Sequence, residues 1–245
     1  MFPSCRRWTA VAHSVGLAFA TSLILLNSGV TANGQPPDKS STVTLQLGSI
    51  EGLELAGGKA ENATYKGRRA VRLVPPDHPS DSDAMMAIIP GTDFKDGTIE
   101  VDVAGSPRPG ADADARGFIG VAFRVQDHGA HGENIYLRPT NGRADDQLRR
   151  SHSVQYESIP DYPWYRLRKE HPGVYESYVD LQAGEWTRMR IVVSGTKAQL
   201  YVNGAAEPCL IVNDLKLGDS HGQIALWAHS STDGYFSNLT ITTSK

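Results

Sequence analysis

From residue 42 onward, apolar and polar residues alternate in short runs, and turn residues break the runs apart. The clearest runs are 42–47, 70–74, 84–89, 98–103, 118–125, 134–138, 154–158, 175–181, 186–193, 198–202, 210–212, 223–228 and 235–242. Successive side chains on a strand point to opposite faces, so each run predicts a strand with at least one buried face. No stretch of helical length repeats its apolar residues every 3.6 positions, which excludes long amphipathic helices. Ser194-Gly195 and Asn203-Gly204 supply tight turns beside two of the best runs. Many strands joined by polar turns predict an all-β chain folded as a two-sheet antiparallel β-sandwich. No linker or internal repeat divides residues 42–245, which read as a single domain.

The same alternation sorts the faces. Ile119, Val121, Phe123 and Val125 share one side of their run, against Phe118, Gly120, Ala122, Arg124 and Gln126. Ile135 and Leu137 oppose Asn134, Tyr136 and Arg138; Ala198, Leu200 and Val202 oppose Gln199, Tyr201 and Asn203. Ile224, Leu226 and Ala228 oppose Ala225, Trp227 and His229. The aliphatic sides are the expected core. The other sides mix small residues, aromatic rings and planar polar groups, an odd composition for a face that only meets water.

Four segments together resemble a known family: Glu185-Trp186-Thr187-Arg188-Met189-Arg190-Ile191-Val192-Val193, Ala198-Gln199-Leu200-Tyr201-Val202-Asn203-Gly204, Gly222-Gln223-Ile224-Ala225-Leu226-Trp227-Ala228 and Gly234-Tyr235-Phe236-Ser237-Asn238-Leu239-Thr240-Ile241. Their order resembles the closing half of the concanavalin A-like lectin/glucanase jelly rolls. Within them it is most similar to laminin-G-like domains and to the bacterial 3-keto-disaccharide hydrolase-type domain. The resemblance implies a jelly roll. It leaves activity open, because this fold carries lectins, hydrolases, lyases and adhesive modules.

The N-terminal residues follow a different pattern. Arg6-Arg7, the apolar run 15–26 and the small residues Val30-Thr31-Ala32 have the order of a secretory signal, expected to be removed at 1–32 and followed by a polar tether, 33–41. The run is short for a membrane span, so the expected product is secreted or periplasmic and has no span once the signal is cleaved; retention as an anchor is the alternative. Cleavage removes two arginines and no acid, moving the formal charge from −3 to −5. A net-acidic chain lacks the phosphate-neutralising footprint of a nucleic-acid binder. Cleavage also removes Cys5 and leaves Cys209 alone, which excludes an internal disulfide and a cysteine metal site. Oligomeric state has no signature here.

Candidate chemistry gathers in residues 133–165. Sugars present hydroxyls in fixed geometry and apolar C–H faces, which planar polar groups and aromatic platforms recognise. Arg124, Tyr136, Arg138, Asn141, Asp146, Arg149, Gln155 and Trp164 form such a set, with Trp227 and His229 as the floor of a groove. Carbohydrate or a glycoside is the expected partner. For turnover, the candidates are His152, Tyr156 and Glu157. In a lyase-like route His152 or Tyr156 is the base, and Arg138 or Arg149 steadies the enolate. A glycosidase needs two placed carboxylates, and Glu100-Val101-Asp102 is only a fragment of the glucanase Glu-x-Asp-x-x-Glu signature. No cofactor is certain. His128 and His131 are a weak metal pair, and Asp112, Asp114, Asp145 and Asp146 are candidate oxygen ligands for Ca²⁺. Three classes stay open: a glycan binder, a glycoside-processing hydrolase or lyase, and a laminin-G-like protein-interaction module.

Overall fold

The computed structural model describes residues 40–76 and 84–244. The expected leader at 1–32, with Cys5, and most of the tether lie outside the described residues. The first eight strands are β1 (Ser41–Leu45), β2 (Glu54–Ala56), β3 (Lys59–Tyr65), β4 (Arg68–Val74), β5 (Ala84–Phe94), β6 (Asp96–Pro107), β7 (Ile119–Gln126) and β8 (His131–Leu137). There follow α1 (Gln147–Ser151), β9 (Val154–Ile159), α2 (Trp164–Glu170) and β10 (Glu176–Ser177). The chain closes with β11 (Thr187–Ser194), β12 (Lys197–Val202), β13 (Leu210–Val212), β14 (Gly222–His229) and β15 (Thr232–Ser244).

The strands build two antiparallel sheets. One runs β13-β12-β11-β6-β15-β4-β3, with β1 also paired to β15; the other runs β10-β9-β8-β7-β14-β5-β2. The all-β two-sheet sandwich expected from the alternation, and the jelly roll that the resemblance implies, are the fold observed. Ile99, Val101 and Val103 of β6 and Met189, Ile191 and Val193 of β11 meet Val121, Phe123, Ile135, Leu226 and Ala228 from the facing sheet. Glu100 and Asp102, on the opposite side of β6, pair with Arg188, and Asp102 also with Arg68. They are salt-bridged residues on an outer face.

One expected run needs correction, and two kinds of element were not foreseen. The run 175–181 reduces to the two residues of β10, because the segment that follows leaves the sheet edge. Strands β2 and β3 went unpredicted because they are edge segments, largely exposed and rich in Glu, Lys, Asn and Ala. Helices α1 and α2, of five and seven residues, are too short to show helical periodicity. The hairpin turns behave as expected: Gly195 (φ 57°), Asn203 (φ 52°) and Gly204 (φ 77°) all take the left-handed backbone that such turns require.

The seven-stranded sheet is unusual in being apolar on both faces. Its inner face joins the main core, and its outer face carries a second cluster of Met86, Ile88, Ala122, Val125, Tyr136, Ala225 and Trp227. The chain between β8 and β10, including both helices, brings side chains against one end of that outer face. Among the described residues no helix is long and apolar enough to cross a membrane.

Candidate functional site

The strand registers define the outer face of the seven-stranded sheet row by row. One row crosses all seven strands: Glu176, Gln155, Tyr136, Gly120, Trp227, Met86 and Ala56. The next row is Glu157, Asn134, Ala122, Ala225, Ile88 and Glu54. Beyond the first row on the other side stand Arg138, Phe118 and His229, where the His229 amide donates to the Phe118 carbonyl. Period-two alternation thus brings residues from all seven strands onto one surface.

Gly120 makes the centre of this surface possible. Tyr136 and Trp227 lie on strands to either side of it, yet their ring centroids are 4.8 Å apart, because the rings lean together over the glycine. A Cβ on Gly120 would stand 2.2 Å from the Ile135 carbonyl oxygen and 2.7 Å from Tyr136 Cβ. Gly120→Ala is therefore expected to lower stability by about 1–3 kcal/mol and to part the two rings. Denaturation together with near-ultraviolet circular dichroism checks both effects.

Around this pair the polar groups interlock. Arg138 is almost fully buried, donates to Tyr136 Oη at 3.1 Å, and lies 5.3–5.9 Å from the ring centroids of Phe118, Tyr136 and Trp164. Arg168 clamps Glu176 through Nε and Nη2 at 2.6–3.0 Å and lies 4.8 Å from the Trp164 centroid. His152 Nε2 is 3.1 Å from Glu176 Oε1. Burial, followed by the positive charges of Arg168 and Arg138, lowers the His152 pKa against the opposing pull of Glu176. Glu157 accepts from Asn134 Nδ2 at 3.0 Å and from the Trp164 amide at 3.4 Å, and burial holds its carboxyl above the usual carboxylate range despite those bonds. An open cleft of about 300 Å³, lined by Met86, His128, Glu157, Pro163 and Trp227 among others, opens at this end. At its rim Asp127 (φ 49°) and His128 (φ 55°) hold left-handed backbone without being glycine, the kind of strain that gathers at functional sites.

Among the described residues six buried side-chain polar atoms lack a protein partner, and four of them lie on this face: Asn134 Oδ1, Arg138 Nε, Gln155 Oε1 and Trp227 Nε1. Each unmade bond costs on the order of 1–3 kcal/mol, so their concentration on one surface calls for a reason.

The residues expected to form the site divide. Tyr136, Arg138, His152, Gln155, Glu157, Trp164, Trp227 and His229 come together on the outer face. Asn141 is a buried scaffold residue, donating from Nδ2 to the His152 carbonyl, and Asp146 caps α1 by accepting from the Arg149 amide. Arg149 is exposed at the periphery, 3.4 Å from Asn141 Oδ1.

Arg124 and Tyr156 are corrections. A β-bulge shifts the β7 register between Phe123 and Gln126, and Arg124 takes φ 53°. The bulge turns Val125 to the outer face and Arg124 to the interior, reversing the predicted sides. Tyr156 points into the core, where its hydroxyl donates to Glu133 Oε2 at 2.8 Å and accepts from the Lys216 amide at 2.7 Å. Burial pushes its pKa up, away from any role as a base. Tyr156→Phe leaves Glu133 and the Lys216 amide each short of a partner, with an expected loss of about 1–3 kcal/mol and unchanged ligand affinity; denaturation and binding measurements together separate the two.

Asn134, Phe118 and Arg168 belong to the surface but were not among the expected site residues. Asn134 and Phe118 carry a signal in the period-two reading, because they share a face with Tyr136 and with Gly120. Arg168 carries none, because its pairing with Glu176 depends on how α2 docks. No group of three or more His, Cys, Asp or Glu among the described residues could hold a metal ion, so the Ca²⁺ and histidine ligand sets expected from the loops do not assemble there. Cys209 donates to the Leu200 carbonyl and is partly buried, which raises its thiol pKa to about 11 and suits a packing role.

The model of the 3-keto-alpha-glucoside-1,2-lyase-like domain matches residues 57–242. Among curated proteins none matches in sequence. Solved structures of the same fold include a Bacillus subtilis protein of unknown function with a galectin-like fold, at 12% identity and TM-score 0.56, covering 82% of this chain and 95% of that one. The VIP36 exoplasmic/lumenal domain in its Ca²⁺/Man3GlcNAc-bound form aligns at 13% identity and TM-score 0.55, covering 82% and 88%. The Bacillus subtilis carbohydrate-binding module CBM66 aligns at 14% identity and TM-score 0.52, covering 78% and 95%. Identities this low establish a common fold and no more.

Proposed function

We propose that this chain, which belongs to the 3-keto-alpha-glucoside-1,2-lyase-like domain family, binds a glycoside on the outer face of its seven-stranded sheet and cleaves it there by elimination. The observation that carries the proposal is the concentration of orphaned buried polar atoms beside stacked aromatic rings on that face. Trp227, Tyr136 and Trp164 suit the C–H faces of a sugar ring; Asn134, Gln155 and Arg138 suit its hydroxyls. The carbohydrate-binding module and the Man3GlcNAc-bound VIP36 domain are precedents for this fold engaging carbohydrate. The leader expected at 1–32 would place the protein outside the cytoplasm.

In a glucoside oxidised to a ketone at C3, the C2–H bond is acidic because its electrons can delocalise onto the carbonyl oxygen. His152, whose lowered pKa favours the neutral imidazole, takes the C2 proton. Arg138, its guanidinium held by Tyr136 and three rings, steadies the enolate oxygen. Collapse of the enolate breaks the C1–O bond, and Glu157, whose burial favours the protonated carboxyl, donates its proton to the leaving oxygen. The products are an unsaturated keto sugar and a free alcohol; solvent restores both side chains. Hydrolysis by two carboxylates fits less well, because Glu176 on the neighbouring strand is already occupied by Arg168 and His152.

Calorimetric titration with an α-glucoside and its 3-keto derivative, with product followed by ultraviolet absorbance, tests the proposal. Saturable binding and release of an absorbing enone are expected, and Trp227→Ala should weaken binding roughly tenfold or more. Binding without product leaves a glycan-binding module. Absence of both, with a protein co-purifying instead, removes the carbohydrate function and favours a laminin-G-like interaction module.

A further inference from the structure

We infer that the end of this face away from the Glu157 cleft accepts an anionic substituent on the bound sugar, a carboxylate or a sulfate ester. This rests on the proposed carbohydrate reading of the face and names a chemical class of ligand that the elimination chemistry does not require.

Three arginines converge on the single turn Pro139–Asn141 that follows β8. Arg138 opens it, and its Nη1 and Asn141 Nδ2 both point to the His152 carbonyl, at 3.4 and 3.1 Å. Arg149 approaches Asn141 Oδ1 through Nε and Nη2, both at 3.4 Å, the long end of a hydrogen bond. The Thr140 amide donates to the Arg116 carbonyl at 3.3 Å, so the Arg116 backbone borders the same turn; its Nη1 donates to the Ala113 and Ala115 carbonyls, and its charge is near enough to Arg149 and Arg138 to be repelled by both.

The nearby acids do not answer this charge. Glu176 is engaged by Arg168 on both oxygens and by His152, and its distance to Arg138 Nη1 is 3.9 Å, beyond hydrogen-bond length. The Asp146 carboxylate caps the Arg149 amide. Asp114 is the acid that acts on Arg116, and its pull is smaller than the combined effect of burial and of repulsion from Arg149, which lowers the Arg116 pKa. Arg138, with a side chain only 5% exposed, keeps its Nε without a protein partner. Grouped guanidiniums with spare donors beside a sugar platform match the planar oxygens of a carboxylate or sulfate.

The test titrates the full chain with maltose, with maltose carrying a uronic acid at C6 of its non-reducing sugar, and with the same position sulfated. The acidic sugars are expected to bind about tenfold tighter than maltose at low salt, and the difference should shrink as salt is raised. Arg149→Ala should remove most of the difference, and adding Arg116→Ala the rest, while maltose affinity stays as it was. Arg149 is exposed, so its variant folds even if the double variant does not. Preference for the uronate or for the sulfate identifies which anion is read. Equal or weaker binding of both acidic sugars, with Trp227→Ala still weakening maltose binding roughly tenfold or more, overturns this inference and leaves the carbohydrate site standing. If no sugar binds at all, both fail together.

Discussion

Arg124→Ala is expected to destabilise the protein by about 3–5 kcal/mol and to leave the sugar affinity of the folded molecules unchanged. Arg124 has no exposed surface. Its guanidinium donates to the carbonyls of Lys95, Gly195 and Gly218 at 2.7–3.1 Å, and it pairs with Asp96 Oδ1 at 3.3 Å. Removing it strands three partly buried acceptors from three loops and deletes the cation beside Asp96, each loss carrying a penalty of order 1–3 kcal/mol. Lysine is a poor substitute, because a single ammonium cannot span donors set by a planar fork. Chemical denaturation measures the loss, and a calorimetric titration of the surviving native protein measures affinity. A loss below about 1 kcal/mol, or a weakened sugar affinity at full folding, would show that Arg124 is something other than a loop clamp.

Glu157→Gln is expected to cut turnover by roughly 10²–10⁴-fold while leaving stability at neutral pH equal or higher. The elimination needs a neutral base and a protonated acid at once. Ordinary histidine and glutamate titrate about two pH units apart in the opposite order, so at most about 1% of molecules would hold that combination. Burial lowers His152 and raises Glu157, bringing the two together and enlarging the productive fraction. Turnover should therefore rise with pH as His152 loses its proton and fall as Glu157 loses its own. The rise should begin below the ordinary histidine range and the fall above the ordinary glutamate range. The substitution removes the donor and should flatten the alkaline fall.

Stability carries the opposite sign. A carboxyl whose folded pKa is raised binds its proton more tightly when folded, so its charged form costs stability once the pH passes its unfolded value, and the whole penalty is present above its folded value. Glutamine removes that penalty and can still accept from Asn134. Activity lost together with stability would mean that Glu157 only holds Asn134 and the start of α2 in place.

Local alternation made much of the fold legible. Ile135 against Tyr136, and Leu226 against Trp227, could be assigned to opposite faces from neighbouring residues alone, since the strand period is short and needs no knowledge of the partner strand. The same reading put Tyr136, Arg138, Trp227 and His229 on the surface that the structure makes the outer face of one sheet. It failed at Arg124 because a one-residue bulge reverses every side chain that follows it, and a bulge depends on the partner strands. It failed at Tyr156 because a tyrosine in a strand is compatible with either side. What turns it inward is Glu133, 23 positions away, and the Lys216 amide, 60 positions away.

The sequence by itself determined the strand pattern, the two-sheet antiparallel architecture and the family resemblance, because hydrophobic alternation and turn residues act over a few neighbouring positions. Tertiary structure alone decided which polar residues serve the fold and which are left over for a ligand. Arg124 is consumed by carbonyls 29, 71 and 94 positions away, and Glu176 by Arg168 and His152 across the edge of the sheet. Arg138 and Asn134, of the same residue classes, keep unpartnered atoms on the outer face. A buried polar group must find a partner, and whether it finds one depends on loops that come together only in the folded chain.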